Sequence, residues 1–172
     1  PELGCSNEAY KDSDFCVGNE KVYEFLENVL TEVMEVFPSE YIHIGGDEAS
    51  KDNWKLCEDC QRRMREEGLE SVDELQSYMI CRVERYLNDK GRQIIGWDEI
   101  LQGGLAPNAT VMSWRGEEGG IVAAAAGHDA IMSPHGYCYI AAPQDAPYSQ
   151  PESIGGYLPL EKVYSYEPAP ET

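Results

Sequence analysis

Positive charge is what this sequence has least of. Thirteen lysines and arginines face 32 aspartates and glutamates over 172 residues, a formal net charge of −19. Nucleic acid and anionic membrane surfaces both call for a basic footprint, so neither is an expected partner. Long apolar runs are also missing. None approaches the roughly 18 residues of a membrane-spanning helix, and no charged-then-apolar leader stands at the N-terminus. The opening Pro1-Glu2-Leu3-Gly4-Cys5 reads as the middle of something, so the missing leader says little about the parent protein. No glycine-rich phosphate loop follows any apolar segment, and no compact His-x-His ligand set occurs.

What is present is enough for a core. An apolar fraction of 42% and eleven tyrosines are those of a globular protein, and the length suits one domain over 1–172. Six cysteines (Cys5, Cys16, Cys57, Cys60, Cys81, Cys138) fit neither a disulfide-dense miniprotein nor a plain cytosolic pattern. Cys57-Glu58-Asp59-Cys60 has the spacing of a zinc or redox pair, but no second such pair follows. Cys5 and Cys16 complete a four-sulfur set only if the fold brings them near. Zinc, disulfides and inert thiols all stay open.

Apolar side chains at Val22, Phe25, Leu26, Val29, Leu30, Val33, Val36 and Phe37 recur at three and four, which predicts an amphipathic helix over 19–37 with Asn19 as cap and Pro38 as stop. Residues 52–67 read as one charged helix ending at Gly68. Ser71-Val72-Asp73-Glu74 is a capping box opening a third helix, closed by Gly91. A small-residue helix is expected over 118–126. Four short strands lie between them, at YIHIGG, QIIGW, TVMSW and DAIMS, and the proline-rich sequence beyond reads as long loops.

Strands that alternate with helices and are apolar on both faces predict a covered parallel sheet. Each strand ends in polar or aromatic residues: GGDE, GWDE, SWRG, SPHGY. Chemistry repeated at the C-terminal ends of parallel strands is the pattern of a (β/α)8 barrel mouth, preferred here over a doubly wound sheet. The pair Asp47-Glu48 fits that mouth. Neighbouring strand residues point to opposite faces, but Gly45 and Gly46 end the buried strand 41–44 and free the backbone to turn. Both carboxylates are then expected to face one cavity, where their pKa values would split as acid-assisted glycoside cleavage requires.

HIGGDE followed by Trp54, then IIGWDEIL, VMSWRG and an SP-x-x-Y-x-Y segment, resembles glycoside hydrolase family 20, the β-N-acetylhexosaminidases. The resemblance runs from PELGC to the terminal GGYLPLEKVYSYEP. It implies a partial (β/α)8 barrel of about four strand–helix units, acting on terminal N-acetylhexosamines of glycans by substrate-assisted catalysis. Glu48 would be the general acid and later base; Asp47 would orient the 2-acetamido group, whose oxygen is the nucleophile. Tyr139 would hydrogen-bond that oxygen, and Trp97 and Trp114 would wall the acetamido pocket. His43 would support the acid pair, or be a satisfied core histidine. Asp98 and Glu99 would hold the mouth together, Asp98 being a candidate sugar contact as well. No cofactor or metal is implied, and the parent's expected location is periplasmic or extracellular.

Some family features have no counterpart here: an arginine on an early strand, an acidic and histidine-bearing motif upstream, and a tryptophan with a glutamate near the last strand. A fragment is therefore expected, inactive alone, with open sheet edges and an uncovered apolar face through which it would self-associate. Two other readings stand beside this one. The first is a non-catalytic carbohydrate-binding relic; the second is a metal-dependent barrel hydrolase using His43, Asp47 and the paired cysteines. One substitution departs from the family's Tyr-x-Asp: the segment is Tyr139-Ile140-Ala141. The loss of that carboxylate opens room for a substituent such as sulfate at the sugar's 6-position, unless Gln144 or Asp145 replaces the contact.

Overall fold

The computed structural model describes residues 3–5 and 14–170. It divides into two compact units, Pro1–Thr110 and Val111–Thr172.

In the first unit, helix α1 (Glu20–Val36) starts where the Asn19 side chain accepts from the Lys21 N–H at 3.1 Å, and it stops at Phe37 ahead of Pro38. Its buried Tyr23 donates to the Val17 carbonyl at 2.9 Å, and the Arg82 guanidinium lies 3.6 Å above that ring. Strand β1 (Tyr41–His43) follows. The single charged helix expected over 52–67 is two, α2 (Asp52–Leu56) and α3 (Glu58–Glu67), because Cys57 is extended at φ −77°, ψ 120°. Helix α3 ends at Gly68.

The Ser71 half of the capping box is in place at α4 (Val72–Asp89), while Glu74 reaches one residue further back than the Ser71 N–H. Ser71 Oγ accepts from the Glu74 N–H at 3.2 Å, and the Glu74 carboxylate accepts from the Glu70 N–H at 2.7 Å. Leu75, Ile80 and Leu87 form its buried stripe. Strand β2 (Gln93–Trp97) runs parallel to β1, with Tyr41 opposite Gln93 and His43 opposite Ile95. A 3-10 turn (Asp98–Leu101) continues from it.

Burial of 41–44 as a block is corrected: Ile42 is buried, while Tyr41 and His43 are exposed. Alternation puts Ile42 on one face and its two neighbours on the other, and that second face is open. Beside Ile42 lies an apolar groove of about 440 Å³, walled mainly by Leu26, Val29 and Val33 of α1 and by Met79 and Val83 of α4.

In the second unit, β3 (Thr110–Ser113) and β4 (Ala130–Met132) pair in parallel, Val111 opposite Ala130 and Ser113 opposite Met132. Helix α5 (Glu118–Ala125) connects them. Its small residues permit a close approach: a Cβ at Gly120 would lie 2.2 Å from the Met132 sulfur. Buried Ser113 ties the crossover together, donating to the Gly116 carbonyl at 2.7 Å and accepting from the Gly120 N–H at 3.0 Å. The segment expected as long loops contains α6 (His135–Cys138), a 3-10 turn (Pro147–Ser149) and α7 (Leu160–Tyr164). Each starts at or just after a proline, whose fixed φ suits a first helical turn. Those prolines are helix starts as well as strand breakers. Among the described residues no helix is long and apolar enough to cross a membrane.

Gly68 and Gly103 share nearly the same left-handed φ, +68° and +73°. A Cβ at Gly68 would meet nothing within 4 Å, whereas one at Gly103 would lie 2.1 Å from the Asp73 carbonyl oxygen. Gly68→Ala should therefore lose only the left-handed preference, about 1–2 kcal/mol. Gly103→Ala should lose clearly more in urea unfolding. Equal losses would show that α4 does not approach Gly103 this closely.

Candidate active site

The backbone latches β1 to β2 beyond the end of the strand. Ile44 N–H donates to the Ile95 carbonyl at 2.8 Å, and Trp97 N–H donates to the Gly45 carbonyl at 2.9 Å. From there φ turns positive at Gly45 (+76°), Gly46 (+95°) and Glu48 (+52°). Gly46 and Gly96 share one constraint: a Cβ at either would lie 2.7 Å from Cγ2 of buried Ile100. Glu48 has a side chain and still adopts the left-handed region, a strain of about 1–2 kcal/mol.

Asp47 and Glu48 are both exposed at this turn. Asp47 and His43 lie at the rim of the apolar groove, and Glu48 does not line it. The groove itself is a poor sugar site, since its walls are aliphatic side chains of α1 and α4 with few polar groups to match hydroxyls. The acid pair, by contrast, stands on an open loop at the C-terminal end of a parallel strand.

His43 Nδ1 accepts from the Gly45 N–H at 3.1 Å, and its ring lies 4.8 Å from that of Trp97 at 60°. Acceptance at Nδ1 requires the neutral ring, protonated at Nε2 alone. Partial burial pushes the His43 pKa below its ordinary value, with the nearby Asp47 carboxylate opposing that shift. Asp98 and Glu99, at the start of the 3-10 turn, are buried, and the Glu99 carbonyl accepts from Gln76 Nε2 at 2.9 Å.

Sequence reasoning missed Lys51. It is buried at φ +61°, and its ammonium donates to the Asp73 carboxylate at 2.6 Å and to the Gln102 side-chain oxygen. Asp14 holds the same point from the other side, its carboxylate accepting from Ser50 Oγ at 3.1 Å and from the Lys51 N–H at 3.2 Å. A lysine after an acidic loop carries no signal of burial, so only the structure reveals it. Trp54 is buried, and its indole N–H donates to the Phe15 carbonyl at 2.9 Å.

The second unit carries its own aromatic group. Trp114 and Tyr139 stack at 6.3 Å and 19°, and His135 stands edge-on to both, at 6.2 Å and 6.3 Å. His135 N–H donates to the Trp114 carbonyl at 2.7 Å. His135 was not among the expected site residues; its signal was its place between Pro134 and Tyr139 in the SP-x-x-Y-x-Y segment. Ala141 is exposed in the turn after Tyr139, and the Asp145 carboxylate accepts from the Ala146 N–H at 2.7 Å.

The metal-hydrolase reading needed the paired cysteines beside His43 and Asp47. Among the described residues they gather instead with Cys5 and Cys16, all four sulfurs within 4.8 Å of one another.

Among the described residues, four strands alternating with helices, paired in parallel within each unit and carrying acids and aromatics at their C-terminal ends, define a partial (β/α)8 barrel. Residues 4–172 match the model of the glycosyl hydrolase family 20 catalytic domain, and the chain belongs to that family. It is 50% identical over 180 residues to a β-hexosaminidase of Porphyromonas gingivalis, covering 99% of this chain and 23% of that one. With a β-hexosaminidase of Vibrio furnissii it shares 36% identity, covering 94% of this chain and 27% of the relative. The crystal structure of a GH20 exo-β-N-acetylglucosaminidase from Vibrio harveyi in complex with N-acetylglucosamine superposes with a TM-score of 0.81 at 32% identity, over 92% of this chain and 25% of that one. A β-N-acetylhexosaminidase from Bacteroides fragilis gives 0.75 at 34% identity, over 85% and 31%. The chain thus spans about a quarter of the length of the two curated relatives.

His43 gives a direct check on this geometry. With its folded pKa depressed below the ordinary value of 6.5, the unfolded chain binds the proton more readily. The stability of the neutral ring is then complete above about pH 6.5 and is lost as pH falls through the depressed folded value. An NMR titration of the imidazole should give a midpoint below 6.5, and Asp47→Asn should lower it further by removing the opposing charge. A midpoint that rises in the variant would show that Asp47 does not face His43.

Proposed function

We propose that the protein carrying this chain is an exo-acting β-N-acetylhexosaminidase, removing terminal N-acetylglucosamine or N-acetylgalactosamine by substrate-assisted retaining hydrolysis. The observation that carries the proposal is the acid pair, held past β1 in a left-handed turn within a chain of family 20. The relatives named above, a β-hexosaminidase and an exo-β-N-acetylglucosaminidase bound to N-acetylglucosamine, support the substrate class.

In this reading Glu48 gives its proton to the glycosidic oxygen as the substrate's acetamido oxygen attacks the anomeric carbon. The leaving group departs with that proton, and an oxazolinium forms. Asp47 orients the acetamido group and stabilises its positive charge. The Glu48 carboxylate then takes a proton from water as the water oxygen bonds to the anomeric carbon, which restores the acetamido group and leaves the configuration retained. Trp97, Trp114 and Tyr139 serve the acetamido group, the tryptophans by enclosing its methyl and the tyrosine by hydrogen-bonding its oxygen. His43 acts through Gly45 as a positioning residue, and Asp98 with Glu99 fixes the turn after β2. The proposed location of the whole protein is periplasmic or extracellular.

In the intact protein, Glu48→Gln should lose activity most on substrates with poor leaving groups, by roughly the 10²–10⁴-fold that general acid catalysis supplies. Asp47→Asn should harm activated aryl glycosides and natural disaccharides alike. Equal losses in Glu48→Gln on both substrates would remove Glu48 from the acid role.

Ala141 gives a second measurement. The intact protein should hydrolyse aryl N-acetylglucosaminide 6-sulfate, and Ala141→Asp should reject it through repulsion and lost space while keeping the unsulfated substrate. A parent that rejects the sulfated sugar as strongly as the variant does would end the open-pocket reading.

A further inference from the structure

Six cysteines enter neither the acid pair nor the aromatic group, and four of them converge. Cys5 and Cys16 come from the segment before α1, Cys57 is the N-cap of α3, and Cys60 lies in its first turn. The sulfur separations are 3.7 Å for Cys5–Cys60, 3.6 Å for Cys16–Cys57 and 3.7 Å for Cys16–Cys60. A tetrahedral zinc site with Zn–S bonds of about 2.3 Å places its sulfurs about 3.8 Å apart. Disulfide pairing is exclusive, whereas here Cys16 is equally near Cys57 and Cys60, and Cys60 equally near Cys5 and Cys16. We propose that Cys5, Cys16, Cys57 and Cys60 hold a zinc ion in a closed four-sulfur site.

The surroundings suit thiolates and exclude water. Cys60 is fully buried and Cys16 and Cys57 nearly so, packed among Val17, Tyr23, Trp54, Met64 and Leu75. Cys57 is the cap from which α3 starts and Cys60 lies in its first turn, so the positive end of that helix's dipole lies beside the anionic sulfurs. The Gly18 N–H also donates to the Cys60 sulfur. That contact needs glycine, since a Cβ at residue 18 would lie 2.1 Å from the Asp59 carbonyl oxygen. The chain turns tightly from Cys16, closed by the Asn19 N–H donating to the Cys16 carbonyl at 3.0 Å.

Four protein ligands leave no open position, so the ion is structural. It joins the segment before α1 to α3. That segment also supplies Asp14, which holds Ser50 and Lys51 at the far end of the acid-pair loop.

The test is metal content and thiol state in the intact protein, purified without chelator. The wild type should contain about one zinc equivalent more than the Cys57→Ser/Cys60→Ser double variant. A mercurial added to the wild type should release that zinc as these four cysteines, mapped by peptide mass spectrometry, react. Cobalt in place of zinc should show the absorption bands of tetrahedral sulfur coordination. Exposed Cys138 should alkylate whether or not metal is bound, and serves as the internal control. The wild-type measurements stand whether or not the double variant folds. Disulfide-linked peptides among the four, or a metal-free wild type whose four thiols are reduced, would overturn the site.

Discussion

Ile100 fills the space that two glycines leave open, and the placement of the acid pair depends on that contact. Gly46 leaves β1 and Gly96 lies inside β2; a methyl group on either would collide with the same isoleucine branch. The two strand ends can therefore approach closely enough for the Trp97 N–H to reach the Gly45 carbonyl. That bond fixes where the chain leaves the sheet. Lys51 fixes where it returns, through Asp73 at the start of α4 and Gln102 after the 3-10 turn. Between these anchors the loop has only Gly46, Asp47, Glu48, Ala49 and Ser50, so the carboxylates are confined while remaining open to solvent.

This arrangement divides the labour between elements that are buried and elements that act. Asp98 and Glu99 carry charge-bearing side chains yet are buried, and their turn meets α4 through Gln76. Asp47 and Glu48 are exposed on a short loop with two bound ends. Stability comes from the buried stripe of α4 and from the cluster around Trp54, neither of which touches a reacting atom in the proposed mechanism.

Much of the architecture was legible because it rests on local chemistry. Ser71 and Glu74 announce a helix start, β2 is bounded as QIIGW suggests, and the apolar spacing of 22–37 matches α1. The break at Cys57 was not legible. Nothing in a charged run marks an extended residue, or shows that the Cys57 sulfur will meet that of Cys16, 41 positions away in sequence. Lys51 and His135 were hidden likewise, since burial of a lysine and stacking of a histidine are properties of the folded neighbourhood. The short helices after Pro134 and Pro159 were missed because proline signals both a strand's end and a helix's beginning, and only the following residues decide between them.

Glu48 sits where glycine or asparagine would be at ease. A library of variants selected only for resistance to heat should therefore drift toward those residues at position 48, since each relaxes the backbone there. Selection for turnover would pull the other way if the carboxyl at this position transfers the proton. Consensus-based stabilisation of the protein should accordingly leave this codon untouched, and a homologue that has replaced it would be read as having exchanged turnover for robustness.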